Sequence, residues 1–271
     1  MSEEGYFRHA EAVMGTVVSF LLAEDGLAFT EVLAATEKAA AELHRLDQIF
    51  SLWREDSPMW RLRAGSLAAE ELPPEIPAVL ALCAEVREET GGNFDPWALP
   101  GGLDPTGLVK GWAIERVGAL LQGAGIPAGI VNGGGDMTAF GRPPAGPAWQ
   151  VGIQHPWRRE RLACVVGLAP GQSLATSGRY ERGEHLFTPL PAAGSVRTAS
   201  VSVVGPSLAR SDAYATALSV AAAPASLAKM LPAGYESYIV FEDGAEEATT
   251  GFPFADPPPD GDDNRGTPLH P

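Results

Sequence analysis

Residues 104–141 hold, in one unbroken stretch, a helix start, a helix, a short strand and a glycine turn, and this combination restricts the chain more than any other part of it. Asp104 or Thr106 can cap a helix in which Leu108, Trp112, Val117, Leu120 and Leu121 recur near the helical period, and Gly123 with Gly125 can end it. An apolar pair, Ile130-Val131, then runs into Asn132-Gly133-Gly134-Gly135-Asp136. The three glycines permit positive φ and let the backbone approach a ligand that any side chain would exclude. Lys110, Asp136 and bare amides suit a phosphorylated ligand, with Lys110 and helix-start N–H groups for negative charge and a carboxylate for a ribose hydroxyl or a metal. The spacing is neither Gly-x-Gly-x-x-Gly after a first strand nor Gly-x-x-x-x-Gly-Lys-Ser/Thr, which argues against a dinucleotide dehydrogenase and a P-loop protein.

With 34 acidic against 19 basic residues, the formal charge is −15, and such a surface repels nucleic acid and anionic lipid. The densest basic run, Arg158-Arg159-Glu160-Arg161, reads as a solvated turn between strands. The first residues carry no basic segment followed by an apolar run, and no apolar stretch approaches the roughly 20 residues of a membrane span. The expectation is a cytoplasmic protein with no membrane span and no nucleic-acid partner. Cys83 and Cys164 read as small buried apolar residues rather than a bridge.

Val13–Phe20 reads as one strand with a glycine interruption, and Ala28–Ile49, Pro74–Glu89, 107–122 and Ser207–Ala222 as helices. Short β-rich runs at Ala148–Ile153, Leu162–Leu168, Ser173–Thr176, Arg197–Val204 and Ser237–Phe241 have the spacing of antiparallel pairing. Helices and strands do not strictly alternate, so the expected class is α+β, with mixed, mainly antiparallel sheets and packed helices. Residues 1–251 form the expected domain, as one unit or two intimately packed subdomains. Phe252–Pro271, acidic and rich in proline, is expected to be a disordered tail.

Asp212 and Thr216 stand one turn apart on a helix, so both oxygens project from one face. Two hard oxygens suit Mg²⁺, which takes one or two protein carboxylates and completes its shell with phosphates and water. The same spacing also occurs on capped or solvated helix faces. His185 in a loop is a candidate general base or a structural histidine. Thr176-Ser177-Gly178 is a nucleophile or an anion-binding turn, and Phe94-Asp95-Pro96 a turn with an aromatic and a carboxylate. Trp53, just past a helix, can stack on a planar ring or be buried in the core. The other histidines form no zinc-binding spacing.

In order along residues 13–222, the chain carries Met14-Gly15-Thr16, then Phe50-Ser51-Leu52-Trp53 with Ser57, then Gly92-Asn93-Phe94-Asp95-Pro96. It continues with Lys110-Gly111-Trp112-Ala113 running on to Val131-Asn132-Gly133-Gly134-Gly135-Asp136, and with Ala175-Thr176-Ser177-Gly178, Tyr180, His185 and Asp212-Ala213-Tyr214-Ala215-Thr216. This ordered set resembles the ApbE-type FAD:protein FMN transferases. The resemblance implies an ApbE-like flavin transferase fold over residues 1–251, FAD as substrate, Mg²⁺ at its pyrophosphate, and an acceptor protein whose Thr or Ser hydroxyl receives FMN as AMP leaves. It implies FAD contacts from Met14, Trp53, Asn93, Phe94, Asp95, Asp104 and Lys110. It further implies Mg²⁺ ligation by the Gly107 carbonyl, Asp212 and Thr216, and proton acceptance by His185. The family commonly has Asp where Glu115 stands, Tyr where Trp53 stands, and Asp-Pro-x-Thr-Gly where Thr188-Pro189-Leu190-Pro191 follows the histidine. FAD hydrolysis to FMN and AMP, and FAD binding without catalysis, are the alternative readings.

Overall fold

The computed structural model describes residues 5–99, 101–144, 146–178 and 197–256. The strands are β1 Tyr6–Val13, β2 Thr16–Ala23, β3 Gly129–Gly133, β4 Asp136–Phe140, β5 Trp149–Gln154, β6 Leu162–Leu168, β7 Ser173–Gly178, β8 Thr198–Gly205, β9 Glu236–Phe241, β10 Glu246–Ala248 and β11 Phe254–Ala255. The helices are α1 Phe29–Phe50, α2 Pro58–Arg63, α3 Glu75–Glu89, α4 Thr106–Gly123, α5 Leu208–Val220 and α6 Pro224–Ala228. Eight strands pair in the order β1-β2-β3-β4-β7-β8-β9-β10, and β11-β6-β5 form a second sheet; every pairing is antiparallel.

Side chains alternate across a strand, and here both faces of the large sheet are covered. Phe20, Val131, Val201 and Ile239 face a core shared with Leu43, Val117 and Leu218 of the helices. Ile130, Met137, Tyr238 and Val240 face the other way, against Trp149, Val151 and Val166 of the small sheet. The result is a helix layer, a large sheet and a small sheet, an α+β architecture as the chain order implies.

Helix α1 forms because Val32, Ala35, Thr36, Ala39, Leu43, Leu46 and Phe50 make one buried stripe, with the Glu31 carboxylate accepting from the Ala28 amide at 2.9 Å across its start. Its outer face is tied to two other helices: Glu42 accepts from Arg45 Nε at 2.8 Å and from Arg116 Nε of α4 at 2.7 Å, and Arg45 reaches Glu75 of α3 at 2.6 Å. The Arg45 guanidinium, with help from Arg116, holds the Glu42 carboxyl down at about 2 against an ordinary 4.5. A depressed folded-state value means stability present above pH 4.5 and lost as pH falls towards 2. Both arginines are 43% exposed, and solvent screening leaves an effect of ~1 kcal/mol. Glu42→Gln is expected to lower Tm by about 2–4 °C at pH 7 in thermal denaturation, with the gap to wild type closing as the pH is lowered through that window.

Two expectations are corrected. Val13–Phe20 is not one strand: Met14 (φ 55°) and Gly15 (φ 71°) are the two-residue turn between β1 and β2. A turn with both central residues in the left-handed region matches the twist of the flanking strands, so the chain reverses there. The packed chain also extends past residue 251. Phe252 is buried against Tyr238, and Phe254–Ala255 pair with Val166 and Val165, because two phenylalanines supply apolar surface that the prolines and aspartates after them lack. Residues 257–271 lie outside the described residues. Cys83 and Cys164 are unbridged, and burial pushes each thiol up to about 12.

Candidate active site

The antiparallel pairing brings several chain segments to one end of the large sheet. The Met14-Gly15 turn, the Gly134-Gly135 turn between β3 and β4, and the last residues of β7 all lie there, because Val18 pairs with Gly133 and β4 runs against β7. Gly134 (φ 62°) and Gly135 (φ 93°) turn the chain in two residues, and the Gly135 amide donates to Asn132 Oδ1 at 3.0 Å. These two turns, the end of α1 with Ser51 to Trp53, and the first turn of α4 border an open cleft of about 590 Å³ that also touches Thr16, Asp47, Thr106 and Lys110. Trp53 is 94% exposed and stands in the cleft rather than in the core.

Pro105 is the N-cap of α4, and Asp104 just before it steadies the helix start, its Oδ1 accepting from the Thr106 amide at 2.9 Å and its hydroxyl at 2.6 Å. One turn further, Lys110 makes an ion pair with Asp136, which is 1% exposed and also accepts from the Thr176 amide at 2.9 Å. Asp136 is therefore occupied inside the protein. It anchors β7 and orients Lys110 at the cleft floor, a role that a sequence reading as ribose or metal ligand did not contain.

Behind Lys110, α4 and α5 cross closely. Asp212 is buried, and its Oδ2 accepts from the Gly111 amide at 3.3 Å. Thr216, one turn along α5, lies 3.4 Å from the Ser177 hydroxyl at the end of β7. A Cβ added at Gly107 would stand 3.3 Å from Phe94 and 3.7 Å from Thr216 Oγ1. Helix α5 is further held to α3, since Arg210 bonds Glu89 at 2.5 Å and pairs with Glu85, and the Tyr214 hydroxyl donates to Glu89 at 2.5 Å. Burial, and then the bond to Glu89, push the Tyr214 phenol well above its ordinary range.

Thus Gly107, Asp212 and Thr216 are brought together beside Lys110, and Met14 and Trp53 with Lys110 line one cleft. Phe94 packs under Gly107. Asn93 and Asp95 serve their own loop: Asn93 Nδ2 donates to the Thr90 carbonyl at 2.8 Å, while Asp95 accepts from Arg87 at 2.7 Å and from the Trp97 amide at 3.0 Å. Asn93, Asp95 and Asp104 are not among the residues lining the cleft. His185 lies outside the described residues; the strands on either side of that stretch, β7 ending at Gly178 and β8 starting at Thr198, meet at this same end of the sheet.

Among the described residues, no three His, Cys, Asp or Glu side chains form a group able to hold a metal ion. One buried carboxylate beside a hydroxyl and a backbone carbonyl is too poor a set for a cage built by protein alone, but it fits a hard divalent cation whose other ligands are phosphate oxygens and water.

Lys110, the start of α4 and the Gly107–Asp212–Thr216 oxygens share one end of a three-layer α+β fold, an arrangement whose chemistry suits a phosphorylated ligand. The sequence profile of the ApbE family matches residues 14–101 and 99–239, and the chain belongs to that family. It is 37% identical over 127 residues to the FAD:protein FMN transferase of Rhodobacter capsulatus, covering 44% of this chain and 24% of that one. It is 24% identical over 151 residues to the FAD:protein FMN transferase of Klebsiella pneumoniae strain 342, covering 52% of this chain and 43% of that one. The matched region spans less than half the length of these curated relatives. The fold superposes on the ApbE protein of Thermotoga maritima with a TM-score of 0.78 at 21% identity, over 90% of this chain and 97% of that one. Against the flavinyl transferase ApbE of Pseudomonas stutzeri the TM-score is 0.75 at 23% identity, over 92% and 97%. No helix of the described residues is long and apolar enough to cross a membrane.

Proposed function

We propose that this protein is a Mg²⁺-dependent FAD:protein FMN transferase that joins FMN to a Thr or Ser hydroxyl of an acceptor protein and releases AMP. The observation that carries the reading is the meeting, around the first two turns of α4, of an open cleft, Lys110, and the Gly107–Asp212–Thr216 oxygen set. The names of the family's relatives support the substrate. In this reading the exposed Trp53 ring stacks on a planar ring of FAD, and Met14 borders the same face. Asn93, Phe94, Asp95 and Asp104 hold the loop and helix start against which FAD lies, and Lys110 places positive charge on the pyrophosphate.

The acceptor oxygen attacks the phosphorus on the FMN side of the pyrophosphate. A new P–O bond forms to the acceptor, the bridging P–O bond breaks, and the electron pair leaves with AMP. His185 takes the proton from the attacking hydroxyl. Gly107, Asp212 and Thr216 would hold Mg²⁺, which when bound neutralises charge on the pyrophosphate oxygens.

Incubation of the protein with FAD, Mg²⁺ and a peptide bearing a threonine, read by mass spectrometry and chromatography, tests this. FMN on the peptide with equimolar AMP is the expected result. Free FMN and AMP would replace the acceptor by water, and unchanged FAD would leave a binding protein.

A further inference from the structure

Helix α5 is gripped at its start by a side chain from α4. Glu115 Oε2 accepts from the Ser207 hydroxyl at 2.9 Å and from the Ala209 amide at 3.1 Å, and Ser207 Oγ in turn accepts from the Arg210 amide at 3.4 Å. A carboxylate here meets an N–H group, that of Ala209, which has no partner inside the helix, and lies at the positive end of the helix dipole. One turn earlier on the same face of α4, the Gly111 amide donates to Asp212. The two helices therefore touch through polar bonds at two places: Gly111 with Asp212, and Glu115 with Ser207 and Ala209.

A single contact between two helices fixes a point and leaves rotation about the axis open. A second contact one turn away opposes that rotation, together with the Arg210 and Tyr214 bonds that tie α5 to α3. Rotation matters at this site because each helical residue occupies about 100° of arc, so a modest turn of α5 would swing Asp212 away from Gly111 and Thr216 away from Ser177.

We infer that Glu115 is a positioning residue for Asp212: by holding the Ser207 hydroxyl and the Ala209 amide, it sets the rotation of α5 at which the Asp212 carboxylate meets α4 beside Gly107. The consequence for metal rests on the function proposed above; the helix clamp does not. Glu115 touches none of the residues lining the cleft in these bonds and acts only through α5.

The test compares Glu115→Ala and Glu115→Gln in the full chain. Calorimetric titration of Mg²⁺ into FAD-loaded protein and hydrogen exchange of the Gly111 amide are the two readouts. Glu115→Ala is expected to weaken Mg²⁺ binding about 10–100-fold and to speed Gly111 exchange roughly tenfold. Glu115→Gln retains an acceptor oxygen able to take both bonds, and is expected to lie within about threefold of wild type in both. If Glu115→Ala folds poorly, Ser207→Ala, which removes one of the two donors, should give a smaller change in the same direction. Glu115 would be a plain helix cap, and the inference overturned, if Glu115→Ala lowered Tm with both readouts unchanged. Equal behaviour of Gln and Ala would also overturn it. If wild type takes up no Mg²⁺ the functional reading fails, whereas Gly111 exchange still decides the role of Glu115.

Discussion

Asp212→Ala is expected to lower FMN transfer by about 10³-fold or more at saturating FAD. The size of the effect follows from how few protein groups would serve the cation in the proposed function. Magnesium held by one or two carboxylates and by phosphate oxygens loses most of its protein-derived charge when a single Asp is removed, and only a carbonyl and a hydroxyl remain at Gly107 and Thr216. The cleft wall made by Met14, Trp53 and Lys110 does not depend on Asp212, so FAD binding in the absence of metal should change little. Asp212→Asn separates charge from packing. Its amide oxygen can still accept from Gly111, the helix crossing should survive, and the rate should fall nearly as far as in the Ala variant. Rapid-quench measurement of AMP release, with Tm recorded alongside, checks both variants, and normal turnover in either would remove Asp212 from the metal site.

The long helices could be read from the sequence because their apolar stripes repeat over several turns; the structure moves the ends of α1, α3, α4 and α5 by a residue or two. The Asp212–Thr216 pair was visible for the same reason, since helical spacing alone puts the two oxygens on one face. The first hairpin was not visible. Its turn uses Met14, where Asn or Asp before glycine is the usual signal, so the two strands merged into one apolar run. Phe252–Ala255 were hidden by the prolines and aspartates that follow them. Asp136 and Glu115 were missed as structural partners for a different cause. Their roles are set by residues 26 and 92 or more positions away, Lys110 and Ser207 among them, and no local pattern encodes such a pairing. Gly111 likewise looks from the sequence like an ordinary helical glycine, although its bond to Asp212 spans 101 positions.

Gly111→Ala is expected to damage both fold and activity, although alanine is the better helix former. Propensity alone favours alanine by about 1 kcal/mol inside a helix. Against this, a Cβ at residue 111 would stand 2.6 Å from the Leu208 carbonyl oxygen, 2.9 Å from its carbon and 3.1 Å from Ala209 Cα. All three are backbone atoms in the first turn of α5, so no side chain can rotate away and the helix itself must retreat. Overpacking of this kind costs roughly 1–3 kcal/mol, and a rigid backbone neighbour places it at the upper end. The net loss should be about 2 kcal/mol, because the steric cost exceeds the propensity gain. Retreat of α5 also carries Asp212 from α4, and misplacement by about 1 Å can cost roughly 10²-fold in rate. Gly123→Ala at the end of the same helix is the control, since nothing stands within 4 Å of a Cβ there. It should leave activity unchanged and hold or raise Tm. Thermal denaturation and single-turnover AMP release of the two variants decide the matter: equal Tm and rate for both would mean that the close approach of α4 and α5 at Gly111 does not shape the site.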